Sequence, residues 1–215
     1  MINLIDPQRL IRQPEDRHHF YGVVVGLVTN NRDPESLNRV KVRYPWLSDT
    51  DESHWARVLT PMAGEQRGFY FLPEVDDEVL IAFEHGMIEF PYVIGALWNG
   101  VDKPPESNSD GKNSKRMIKS RSGHIIRFDD TDGAEKIELI DSSGNNTIII
   151  NAAENTITIS ANADIMLQST DGKLTLNGAT VEIVSQAEVK IEAGGDMDMK
   201  ASGQMNINGQ IVNIN

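Results

Sequence analysis

The side chains with the type and spacing to do chemistry form four groups. Asp76-Asp77-Glu78 offers neighbouring carboxylates of the kind used in general acid–base work. No partner set accompanies them, and a solvated turn before the apolar run that follows accounts for all three. Asp129-Asp130-Thr131-Asp132-Gly133 resembles the start of a calcium loop. Placing Gly133 on the EF-hand glycine puts Phe128 at the first ligand position and Leu139 at the bidentate one, so the match fails and a turn remains. His18-His19 are adjacent, without the spacing of a metal-ligand pair, and suit an exposed arm. Trp46, Trp55 and Trp98 could stack nucleic-acid bases. However, 20 basic residues against 32 acidic ones give a net charge of -12, which opposes phosphate binding and assigns the tryptophans to core or subunit packing. There is no nucleophile elbow, P-loop or zinc motif, and no cysteine. The expectation is a chain with no catalytic residues, no metal, no cofactor and no nucleic-acid partner: a structural protein and not an enzyme.

The elements that would position these groups are strands. Phe20 to Thr29 is an apolar, β-branched run, and Arg39 to Tyr44 alternates cleanly up to Pro45. Residues 54–60 alternate again, with Ala56 and Val58 on one face. Phe69 to Leu72, Glu78 to Phe83 and Pro91 to Trp98 complete a set of five or six short strands over residues 20–100, the pattern of a small closed barrel. Residues 1–19 read as an N-terminal arm. Residues 101–119, with Pro104-Pro105 and no apolar pattern, read as a linker. Residues 120–146 hold two short strands around DDTDGAEK and read as a collar hairpin. All nine prolines lie at or before Pro105, and no aromatic residue follows Phe128. That shift in composition marks a domain boundary. The first twenty residues lack a signal-peptide core, and no run reaches the apolar length of a membrane span.

From 147 to 215 the chain repeats. Apolar pairs two residues apart recur as Ile148/Ile150, Ile157/Ile159, Ile165/Leu167, Leu174/Leu176, Val181/Ile183, Val189/Ile191, Met197/Met199, Met205/Ile207 and Val212/Ile214, in steps of 7 to 9 residues. An i, i+2 pair faces one side of a short strand, and the Gly, Asn, Asp and Ser between pairs suit tight corners. One strand and one corner supply only one wall of a prism. Three chains wound together supply three, each directing two aliphatic side chains per layer at a common axis. The repeat therefore predicts a homotrimer with an intertwined β-prism, a rod about 40 Å long at the usual rung spacing. An ordinary antiparallel sheet with short hairpins is the competing arrangement.

Several motifs extend this reading. RVKVRYPW (39–46), HWARVLTPMAGEQRG (54–68), FLPEVDDEVLIAFEHG (71–86) and PYVIGALWNG (91–100) resemble the oligonucleotide/oligosaccharide-binding (OB) type barrel of contractile-injection spike proteins. That family includes phage baseplate assembly protein V, the phage T4 spike and the valine-glycine repeat protein G of type VI secretion. SGHIIRFDDTDGAEKIELIDSSGNN (122–146) resembles the segment joining barrel to β-helix in the same family. The resemblance implies an all-β fold, an OB-type barrel followed by a trimeric triple-stranded β-helix. It implies a central spike that attaches to hub protein and tail tube, and pierces the target envelope on contraction. A conical tip protein of the proline-alanine-alanine-arginine repeat (PAAR) type would cap it at Ile214 and Asn215. The chain would be made in the cytoplasm and assembled into a tail-like particle. There are departures too. No hub domain precedes the barrel, which implies a separate hub protein. No lysozyme-like insertion separates barrel from prism, and no His follows His124 to build an apical His-x-His iron site. Two other functions stay open at this stage: a trimeric tailspike acting on surface polysaccharide, and a barrel adaptor that recruits an effector.

Overall fold

A computed structural model describes residues 19–214. The expected arm over 1–19, save for His19, and the expected tip contact at Asn215 lie outside these residues. The described chain is nearly all strand and loop, and it divides into two units that meet the sequence at Asn162/Ala163.

The first unit begins with a closed barrel. Its strands are β1 (Val23–Asn30), β2 (Lys41–Arg43), β3 (Arg57–Val58), β6 (Glu78–Phe83) and β7 (Pro91–Ala96). They are hydrogen-bonded in the order β2-β1-β6-β7-β3, with β3 parallel to β7 and the other pairs antiparallel. Bridges Val40↔Ala56 and Arg43↔Glu52 close the ring between β2 and the chain leading into β3. First and fourth barrel strands thus pair, and third and fifth run parallel, a five-stranded Greek-key closure. Alternation builds the core. Along β6, Val79, Ile81 and Phe83 point inward and meet Val28, Val40, Val42, Tyr44, Ala56 and Val93. Gly26 is required where strands crowd, because a Cβ there would lie 3.3 Å from both Ile81 and Val42.

Two stretches, one in the barrel and one after it, depart from expectation. Phe69 to Leu72, an expected strand, has no sheet partner; instead β4 (Ala63–Gly64) and β5 (Arg67–Gly68) form a small hairpin just before it. The hairpin is set by Gln66, whose φ of 52° makes the tight turn, and its residues carry no apolar alternation to announce it. Phe69, Tyr70 and Phe71 are left 51–71% exposed. The linker is also shorter than expected, since β8 (Lys115–Lys119) is a strand. Its charged flanks hide the single Met117-Ile118 step from a search for apolar pattern.

After the linker, β8, β9 (Ile125–Asp129), β10 (Lys136–Ile140), β11 (Thr147–Asn151) and β12 (Thr156–Ser160) form a five-stranded antiparallel meander in chain order. The second unit, from Ala163, contains no strand among its described residues.

Candidate functional site

The meander carries the site. Residues directly opposite one another in an antiparallel pair share a face, so the register sorts its side chains. One face holds two rows. Ile118, Ile126, Leu139, Ile148 and Ile159 form the first; Arg116, Phe128, Ile137, Ile150 and Ile157 form the second. Nine of these ten are large and apolar, and all nine are 40–70% exposed. Exposed apolar residues scattered singly are ordinary; a two-row contiguous face of them marks an interaction surface.

The opposite face is mixed and more deeply placed, with Met117, Ile125, Ile140 and Ile149 among charged side chains. Arg127 on β9 faces Glu138 on β10; its Nε donates to Glu138 Oε2 at 2.5 Å, and its Nη2 lies at ion-pair distance, 2.5 Å, from the same oxygen. Lys136 reaches Glu138 Oε1 at 3.2 Å, and the Glu138 side chain is 4% exposed. Burial pushes the Glu138 carboxyl up, but the bonds from Arg127 and Lys136 outweigh it and hold the group below its ordinary value. The only buried side chains of this sheet are thus Asp129 and Glu138; Met117, Ile125, Ile140 and Ile149 share their face half-buried, while the other nine large hydrophobes face outward. A sheet folded for one chain alone would not leave nine large hydrophobes on its exposed face.

The expected axis residues divide between the two units. Ile148, Ile150, Ile157 and Ile159 sit in register across β11 and β12, two on each row of the apolar face. These first two pairs are joined antiparallel to one another. Ile165, Leu167, Leu174, Leu176, Val181, Ile183, Val189, Ile191, Met197, Met199, Met205, Ile207, Val212 and Ile214 belong to the second unit. Every described residue of that unit is exposed, and the paired side chains range from 46% at Met205 to 87% at Ile214. Sequence reasoning missed Ile118, Ile126, Phe128, Ile137 and Leu139. Two of the pairs were visible: Ile126/Phe128 and Ile137/Leu139 have the same i, i+2 spacing as the repeat, eleven residues apart instead of eight.

The groups that might have done chemistry are engaged in local structure. Asp77 Oδ2 accepts from the Glu74 N–H at 2.8 Å and shapes the turn into β6, where Asp76 adopts a φ of 76°. Asp129 accepts from the Thr131 hydroxyl and N–H, at 2.5 and 3.1 Å, closing the β9–β10 turn. His19 Nδ1 lies 3.0 Å from the Tyr21 hydroxyl. Among the described residues no group of three His, Cys, Asp or Glu could hold a metal ion. Trp46 packs edge-on to Phe20 at 5.1 Å, Trp55 lies under Arg39 and Lys41, and Trp98 is 68% exposed. No described helix is long and apolar enough to cross a membrane.

Comparison with known proteins gives this geometry a context. Residues 24–98 match the family model of the type VI secretion system/phage-baseplate injector OB domain. The chain is 22% identical over 260 aligned residues to the type VI secretion system spike protein VgrG1a of Pseudomonas aeruginosa, covering 92% of this chain and 40% of that protein. It is 29% identical over 132 residues to spike protein VgrG2a of the same organism, covering 56% and 15% of the two chains. It is 26% identical over 140 residues to the actin cross-linking toxin VgrG1 of Vibrio cholerae, covering 59% and 13%. The chain therefore spans two-fifths or less of the length of these relatives. With an injector OB domain matching its barrel and spike proteins among its relatives, the chain is similar to the contractile-injection spike family, and the comparisons support that family for it.

Proposed function

We propose that this chain is the central spike of a contractile-injection baseplate, and that it works as a homotrimer. The observation that carries the reading is the meander's two-row face of nine exposed hydrophobes, continued by a repeat in which no described side chain is buried. Burying a large aliphatic side chain contributes roughly 1.5–3 kcal/mol. A chain that leaves more than twenty of them in water forgoes its main source of stability, unless other copies supply the missing walls. Two further copies, each offering the same two-row face and the same repeat, complete a three-walled prism about a common axis. This is a heterologous interface closed into a ring by threefold rotational symmetry.

The mechanism of such a spike is mechanical. A narrow rod with paired backbone groups and a continuous aliphatic interior transmits sheath contraction to the target envelope without buckling. The barrel joins the rod to hub protein and tail tube, and a conical tip protein of the PAAR type covers the distal end near Ile214 and Asn215. No chemical step is required of any residue. The chain is made in the cytoplasm and reaches the envelope only as part of the contracting particle.

Labelling the chain and locating it by electron microscopy in assembled particles tests this function. The label is expected on the central axis, below the tube. A peripheral position, where polysaccharide-binding tailspikes sit, would contradict it.

A further inference from the structure

The barrel carries a small cavity that neither its core nor the apolar face uses. It holds about 220 Å³ and lies where the 44–54 segment meets Ile88 and Glu89. Leu47 and Ile88 form its apolar walls, while Asp51, Glu52 and Glu89 bring three carboxylates to it. Glu52 is paired with Lys41 at 3.1 Å. Asp51 and Glu89 have no cationic partner among the described residues.

Tyr44 also lines the cavity. It is 4% exposed, and its hydroxyl has no hydrogen-bond partner among the described residues. The neighbouring Ser53 hydroxyl is committed elsewhere, donating to the His54 carbonyl at 2.6 Å and accepting from the Val42 N–H at 3.0 Å. Burial pushes the Tyr44 phenol up to about 12, with Ser53 acting weakly the other way, so the hydroxyl is neutral at any working pH. An orphaned buried hydroxyl costs free energy and calls for a partner from outside the fold. The cavity is smaller than the roughly 300–1,000 Å³ of small-molecule sites, and suits one long side chain.

We propose that this cavity is an anchor site for a single Lys or Arg side chain of a protein that docks on the barrel. The methylenes of that side chain lie against Leu47 and Ile88, in the way long basic residues cover apolar surface. Its cationic head meets Asp51 and Glu89 and donates to the Tyr44 hydroxyl. An anchored side chain in a fitted pocket is the usual centre of a protein interface. The proposal needs only the barrel and stands apart from the spike reading.

The test is a titration of the full chain, followed by NMR, with N-acetyl-lysine methylamide, N-acetyl-arginine methylamide and the neutral N-acetyl-norleucine methylamide. At least one cationic probe is expected to shift the amides of residues 44–54 and 88–89. The neutral probe should bind at least about tenfold more weakly, and Asp51→Asn and Glu89→Gln should each cost about tenfold. Both carboxylates are exposed, so these variants leave the barrel intact. Tyr44→Phe should weaken the cationic probe about threefold while leaving Tm unchanged or higher, because the lost hydroxyl has no partner in the free protein. Absence of any shift, equal binding of norleucine, or a lower Tm for Tyr44→Phe would overturn the proposal. Tighter binding of free putrescine than of either capped residue would also overturn it, since a diffusible amine would then be the occupant.

Discussion

Glu138 shows at the scale of one residue what the meander is for. Its carboxylate lies between Arg127 and Lys136 on the covered face of β10. Glu138→Gln leaves both cations without a counter-charge and should destabilise the protein by about 3 kcal/mol, read from denaturant unfolding. The pH dependence has a definite sign. The folded carboxyl is held below its ordinary value, so the unfolded chain takes up a proton first as pH falls. The contribution is whole above the unfolded glutamate value of about 4.3 and is lost as pH drops towards the folded value. The stability gap between wild type and Glu138→Gln should therefore narrow below about pH 4; a gap that widens there would contradict the ion pair. Gly86 makes a second prediction. Its φ is 77°, and a Cβ would sit 3.2 Å from His19 Cβ and Tyr21 Cε1, so Gly86→Ala should cost about 1–2 kcal/mol. An unchanged unfolding midpoint would refute the strain.

At the scale of elements, what is legible in a sequence is periodicity, and what is not is partnership. β1, β6 and β7 were readable as short apolar, β-branched runs bounded by turn residues. Val79, Ile81 and Phe83 can face only one way. The same logic marked Ile157/Ile159 as a strand face, and β12 is that strand. Pairing is a different matter, because i, i+2 spacing is the same in an antiparallel meander and in a wound prism. The register needed coordinates. Phe69 to Leu72 has the apolar composition of a strand but no sheet partner, with only Leu72 packed against the core, whereas β4, β5 and β8 have partners without the composition. The two faces of the meander give a paired test between neighbouring positions. Ile157 lies on the apolar face, and Thr158 beside Ile149 on the other. Ile157→Asp should abolish self-association in size-exclusion chromatography and Thr158→Asp should leave it unchanged. Loss of assembly in both, or in neither, would detach the apolar face from oligomerisation.

The whole molecule combines a barrel with its own buried core and a C-terminal half that has none. Val28, Val40, Val42, Val79, Ile81 and Val93 are less than 2% exposed. From β8 onward no apolar side chain is buried, although aliphatic pairs continue to Val212/Ile214. Composition foreshadows the divide, since no aromatic residue follows Phe128. A rod whose layers need only small aliphatic side chains from each of three walls has no use for larger ones. Ile183→Asp places a charge in the middle of the repeat and should dissociate the assembly while leaving the barrel folded. Barrel signals that persist in NMR spectra of this variant, at the mass of one chain, are the expected result.

The central claim is most directly tested by native mass spectrometry of the purified chain. A species at three times the 23.9 kDa chain mass, persisting in mild detergent, is the predicted result. A well-folded monomer at 23.9 kDa, with the aliphatic pairs of residues 148–214 in water, would contradict it.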